Sequence, residues 1–149
     1  MKWRLFLFSE KSYITYLLDL IREKGLPSRS IILAQDATMQ YRMEAGLRKY
    51  VTDTLIINFS TYRARVIVKD SQPVYEENIK GMWDMNRYIT LLMGEIPRLS
   101  DSIEGYGPNG KGFIAHVDIP VEVETAFLEL KEEYAGMVRE ANPLYASAR

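Results

Sequence analysis

The sequence contains no cysteine and a single histidine, His116. Disulfides and thiolate zinc sites are thereby excluded, and the composition fits a reducing compartment, so a cytoplasmic location is expected. No cysteine exists to complete a triad with His116, and neither a nucleophile-elbow motif nor a metalloprotease helix motif occurs, so hydrolase chemistry is not expected. His116 lies in an apolar stretch and reads as a packed or edge-facing imidazole. Net charge is nearly absent as well: 19 basic against 20 acidic residues leave -1. That balance lacks the concentrated positive field that holds a phosphate backbone, and nucleic acid is not expected as a partner. No apolar run reaches the roughly 20 residues that a membrane-spanning helix requires. The opening Met1-Lys2-Trp3-Arg4-Leu5-Phe6-Leu7-Phe8 starts like a signal peptide, but Ser9-Glu10-Lys11 ends it too early, and it reads as a strand. Any membrane link is expected to come through a partner or a segment outside this chain, such as one following Arg149.

What the sequence has in quantity is apolar side chains: 47% of its 149 residues are hydrophobic and 26% charged, the proportions of a globular chain. A chain of this size buries roughly two-thirds of its unfolded surface and needs no staples. Residues 1–149 read as one domain, with a frayed tail over 143–149 after Asn142-Pro143.

The local patterns alternate between strand and helix. After the strand Trp3 to Phe8, Ser9 reads as an N-cap, and Tyr13, Ile14, Leu17, Leu18 and Ile21 form a helical stripe stopped by Gly25 and Pro27. Ser30 to Ala34 reads as a strand, Asp36 as the next N-cap, and Met39, Met43, Leu47 and Tyr50 as the stripe of a second helix. Thr54 to Phe59 is apolar until Asn58, the pattern of a central strand buried on both faces. Tyr62 to Val68 alternates, and a strand from Pro73 to Ile79 follows it. Between them Asp70-Ser71-Gln72 has turn chemistry, and a loop of those three residues sets Arg65 opposite Glu77.

Met82, Met85, Ile89, Leu92, Met93 and Ile96 predict a third helix, ending near Pro97 or running irregularly toward Ile103. A glycine-rich loop, Gly105 to Gly112, leads into a strand from Phe113 to Ile119. A last helix follows Pro120, with Val123, Phe127, Leu130, Tyr134, Met137 and Val138 as its buried face. This order predicts an α/β domain in which one mixed sheet is flanked by helices.

Several constellations invite a chemical reading and fail its requirements. The glycine loop leads into a strand rather than a helix and lacks the Lys-Ser/Thr ending of a Walker sequence, so it reads as a flexible connection. A three-stranded meander followed by helix, strand and helix is the order that opens an RNase H-like or actin-like half-domain. A nuclease of that class needs clustered carboxylates for divalent metal, and Asn58 stands where an acidic ligand is expected. An actin-like ATPase uses an Asp-x-Gly-x-x-x-Thr turn, where glycine admits phosphate and the acid supports hydrated magnesium. Here the stretch is Asn58-Phe59-Ser60-Thr61-Tyr62-Arg63-Ala64, with Asn, Ser and Ala at those positions.

That stretch, with Phe6-Leu7-Phe8-Ser9-Glu10-Lys11 leading into Tyr16-Leu17-Leu18, the helix end Lys24-Gly25-Leu26-Pro27, and Ile56 to Tyr75 with its hairpin, resembles the cytoplasmic actin-like domains of the PilM and GspL families of type IV pilus and type II secretion proteins. The pattern covers the first half of the chain; the second half matches by element order. The chain is much shorter than a complete actin-like protein, so the resemblance implies a reduced version, similar to the short cytoplasmic domains of type IVb pilus proteins such as those of the bundle-forming pilus. It further implies a scaffold at the cytoplasmic face of the inner membrane that docks the pilus-assembly or secretion ATPase and inner-membrane platform proteins. Catalysis would then lie in the partner, and the degenerate turn implies no intrinsic turnover and no cofactor. The competing expectation is an actin-like nucleotide-binding ATPase with a divergent phosphate site near Ser60, Thr61 and the Gly105 to Gly112 loop.

Four residues stand out for partner binding. Trp83 begins the third helix off its apolar stripe; it reads either as a core residue or as an interface anchor, a role for which tryptophan is enriched. Arg63 and Arg65 share a strand face suited to an acidic partner, although pairing with Glu77 accounts for Arg65 equally well. Tyr62, like Tyr41, Tyr88 and Tyr106, falls at a helix surface or loop where an amphipathic ring serves an interface.

Overall fold

A computed structural model describes residues 10–134. The expected strand Trp3 to Phe8, the Ser9 cap, Met137, Val138 and the 143–149 tail lie outside the described residues. Within them the chain is mixed α/β, with helices α1 (Glu10–Glu23), α2 (Gln40–Arg48), α3 (Met85–Leu99) and α4 (Val121–Glu133) and strands β1 (Ser30–Gln35), β2 (Leu55–Ser60), β3 (Val66–Lys69) and β4 (Gln72–Tyr75).

Helix α1 forms where the stripe predicts it and buries Ile14 and Leu18. Its stop is a Schellman turn: Gly25, at φ 62, donates to the Arg22 carbonyl while Leu26 donates to Ile21, which satisfies carbonyls that the helix end leaves open. β1 and β2 pair in parallel, Ile31 beside Ile56 and Ile32 beside Ile57, with α2 as the crossover. Ile31, Leu33 and Ile56 pack on Ile14, Leu18, Leu47 and Met43, so α1 and α2 cover the same face of the pair. The opposite face carries Ile32, 70% exposed, with Leu55, Ile57 and Phe59. The expectation that β2 is buried on both faces is therefore corrected: among the described residues one face is covered and the other is open.

The expected meander is corrected too. β3 and β4 form their own antiparallel hairpin, and β2 pairs only with β1, so two separate two-stranded sheets replace the single mixed sheet among the described residues. The cause lies just after β2. Thr61 donates both its N–H and its hydroxyl to the Gln35 carbonyl, and the Tyr62 hydroxyl reaches Asp36, which draws the chain across the end of β1 instead of back along β2. Tyr62 to Arg65 are consequently outside any strand, and β4 ends at Tyr75 rather than Ile79.

In the hairpin only Asp70 and Ser71 form the turn, both at positive φ (51 and 60), the twist that suits a two-residue hairpin loop. The shorter loop shifts the register by one residue, with Val66 opposite Tyr75, and Arg65 meets Glu76 at 3.4 Å rather than Glu77.

α3 begins at an Asp84 cap whose carboxylate accepts the Arg87 N–H at 2.9 Å, and it runs through Pro97 to Leu99. It is tied to α2 by a buried ion pair: Arg42 Nε to Glu95 Oε2 at 2.5 Å and a second bond to Oε1 at 3.1 Å, with both side chains 7% exposed. Phe113 to Ile119, expected as a strand, pairs with no strand among the described residues. Its Ala115 N–H bonds the Ala45 carbonyl of α2, and Ile114 fills a second core with Ala45, Leu99 and Tyr106. Among the described residues it lies on a helix, which offers no strand edge. α4 forms after Pro120 but buries none of its residues; Val123 and Leu130 are exposed and Phe127 and Tyr134 half-buried. Its expected buried face is thus corrected: among the described elements α4 packs against α3 alone, a contact too narrow to cover a stripe.

Candidate functional site: a carboxylate hub at the strand ends

In a parallel β-α-β unit the carboxyl ends of the strands and the start of the crossover helix leave a crevice, the usual place for recognition in open α/β sheets. β1, β2 and α2 build such a crevice here. A cleft of about 560 Å3 opens there, lined by Ala37, Asn58, Ser60, Tyr62, Arg63 and Tyr88 among others.

Beside it stands Asp36, the first residue after β1. The sequence marks Asp36 as the α2 N-cap; instead α2 starts at Gln40 behind Met39, and Asp36 closes the preceding turn by accepting the Thr38 N–H at 2.9 Å and its hydroxyl at 2.7 Å. The same oxygen accepts the Tyr62 hydroxyl at 2.7 Å, and the other accepts Trp83 Nε1 at 3.0 Å. Partial burial alone pushes the Asp36 carboxyl upward, but the hydrogen bonds from Trp83, Thr38 and Tyr62 outweigh it and hold the group below its ordinary value. The charge acts back on its neighbours. Burial first, and then the bond to Asp36, raise the Tyr62 phenol far above its usual range. Tyr88 is raised by burial and the same charge. Tyr75 packs edge-on against Tyr88 with ring centroids 5.5 Å apart, and its hydroxyl donates to the Trp83 carbonyl.

Two of the singled-out residues therefore converge on one carboxylate. Trp83 lies in the loop before α3 rather than in the helix, and it remains 45% exposed. Arg87 stands 5.8 Å from its ring. Arg63 lines the cleft beside Tyr62. Arg65 is not brought there: with β3 starting at Val66, the two arginines share no strand face, and Arg65 stays with Glu76 on the hairpin.

Asn58 is held as a bridge, accepting from Gln40 Nε2 at 2.7 Å and donating to Glu44 at 2.5 Å. The glycine loop, expected as a flexible connection, is closed by its own backbone bonds. The N–H groups of Gly105, Gly107, Gly110, Lys111 and Gly112 donate to carbonyls of Ser102, Ser100, Gly107, Gly105 and Gly107 respectively, and they are not turned outward to cradle an anion. His116 is exposed rather than packed in a strand, set between Asp101 and Asp118. Asp36, the Arg42–Glu95 pair and the Asp101–His116–Asp118 group are the residues that sequence reasoning missed. The available signal was an acid placed directly between a strand and its crossover helix.

Among the described residues no three histidine, aspartate or glutamate side chains are grouped to hold a metal ion, and no helix is long and apolar enough to cross a membrane. No protein-family model matches the sequence.

Proposed function

We propose that this domain is a non-catalytic adaptor that binds partner proteins through the surface built on Trp83, Tyr62 and Arg63. The observation that carries the reading is the hub itself. Asp36 spends its lone pairs on Thr38, Tyr62 and Trp83, so its role is to fix two aromatic side chains beside an arginine. Tryptophan, tyrosine and arginine are the side chains that dominate binding energy at interfaces, and fixing them beforehand lowers the entropy cost of association.

Taken with the resemblance to the PilM and GspL families, the reading extends to a reduced actin-like or RNase H-like domain at the cytoplasmic face of the inner membrane. There it docks the hexameric pilus-assembly or secretion ATPase and the neighbouring platform proteins. Such a domain has no turnover of its own.

Affinity co-purification from gently solubilised cells of the source organism tests the proposal. Enrichment of a secretion-type ATPase with inner-membrane platform proteins, lost on Arg63→Glu while the melting temperature holds, is the expected result. Reproducible absence of these proteins beside an unrelated partner would overturn it. A rise in melting temperature with magnesium-ATP would favour the nucleotide-binding ATPase instead.

A further inference from the structure

We infer that His116 is a proton-dependent clasp that fastens Asp118, two residues before the Pro120 cap of α4, to Asp101 at the carboxyl end of α3. Its Nδ1 lies 2.5 Å from Asp101 Oδ2 and its Nε2 lies 3.0 Å from Asp118 Oδ1. Ionised carboxylates only accept hydrogen bonds, and a neutral imidazole has one N–H to give. The two-sided bridge therefore exists only for the imidazolium, and losing the proton leaves a lone pair facing one of the carboxylates.

The two sides are unequal. Asp101 follows the α3 cap Ser100, and its other oxygen is buried without a hydrogen-bond partner, packed where a side chain on Gly107 would have to stand. Asp118 is 99% exposed and hydrates freely. The neutral ring keeps its N–H on Asp101, where an unmatched carboxylate costs more, and releases Asp118.

The charged groups of the surrounding elements are committed elsewhere. Lys49 of α2 donates to the Gly112 carbonyl, Lys111 of the glycine loop pairs with Glu104 at 3.9 Å, and Arg98 of α3 stands by Glu95 at 3.6 Å. α4 adds Glu122 and Glu124 in its first turn. The imidazole thus sits between carboxylates, and its bonds to Asp101 and then Asp118 raise its pKa above the ordinary 6.5. A raised value means that the clasp is fully closed below the unfolded imidazole pKa and opens as pH rises through the folded one.

Asp118 stands two residues before Pro120, and α4 buries none of its own residues, so release at this point frees the helix more than the core. The segment behind it stays anchored by Ile114, 2% exposed, and by the Ala115 bond to α2. This inference concerns α4 and does not depend on the partner surface at Asp36.

The chain suits a direct test, because His116 is its only histidine and it has no cysteine. The imidazole is followed by 15N NMR from about pH 5 to about pH 9, bracketing the ordinary value, and a nitroxide on Thr125→Cys reports the mobility of α4. The expected result is a doubly protonated ring at the acid end of the range, a midpoint above the ordinary value, and nitroxide mobility that increases with the same midpoint. Asp118→Asn lowers the midpoint, and His116→Gln abolishes the mobility step. A midpoint at or below the ordinary imidazole value, one indifferent to Asp118→Asn, or mobility that ignores the titration would each overturn the clasp.

Discussion

Trp83 donates its indole N–H to Asp36 across 47 positions of sequence, at 3.0 Å. The bond ties the loop before α3 to the end of β1, while Tyr62 is tied to the same carboxylate from the chain that leaves β2.

Removing the carboxylate leaves those donors without it. Asp36→Ala is expected to lower stability by about 1–3 kcal/mol, and Tyr62→Phe by roughly 1 kcal/mol, since Tyr62 donates to a charged acceptor but is only half-buried. Urea unfolding at neutral pH measures both. The folded pKa of Asp36 is depressed below 3.8, so its contribution is present above the unfolded value and disappears as pH falls through the folded one. The Asp36→Ala and wild-type stability curves should therefore converge in acid.

The buried pair between α2 and α3 behaves differently from a surface bridge. Glu95→Ala removes the buried carboxylate that faces both Arg42 and Arg98 and should cost about 3–5 kcal/mol, whereas replacing Arg42 and Glu95 together by apolar residues of similar volume should cost far less. A double-mutant cycle in urea separates the two, and equal losses for single and double variants would contradict the account.

Arg65 supplies the contrast. Its ion pair with Glu76 is solvated on the hairpin, and Arg65→Ala should change stability by less than about 0.5 kcal/mol. A larger loss in thermal unfolding would mean that the arginine stem carries packing absent from this arrangement.

The hairpin turn holds Ser71 at φ 60, a left-handed conformation that costs a side-chain-bearing residue roughly 1–2 kcal/mol. Ser71→Gly should accordingly stabilise the protein by up to about 1 kcal/mol, after the extra freedom glycine brings to the unfolded chain. Calorimetric melting measures the gain, and a lower melting temperature would refute it.

The helices were legible because their bonds are local. The Ile14 to Ile21 stripe, the Gly25 stop and the Pro120 start place α1 and α4 within the range of a single turn, since each helical bond joins residues four apart. Trp83, Tyr62 and Arg63 were also visible as residue types suited to contact. Their meeting was not, because it runs through Asp36, whose local pattern is that of a helix cap.

Strand partners, by contrast, were decided by the tertiary structure. Among the described residues, Phe113 to Ile119 has the composition of a strand but settles on α2 without a partner edge, and β2 has a core-like sequence with one face open. One residue of loop length moved Arg65 from Glu77 to Glu76. By itself the sequence determined an α/β chain without disulfides and where its helices lie, because composition and periodicity act over a few residues. Sheet pairing, register and the gathering of donors around Asp36 depend on contacts between distant residues, and only the folded chain brings those into reach.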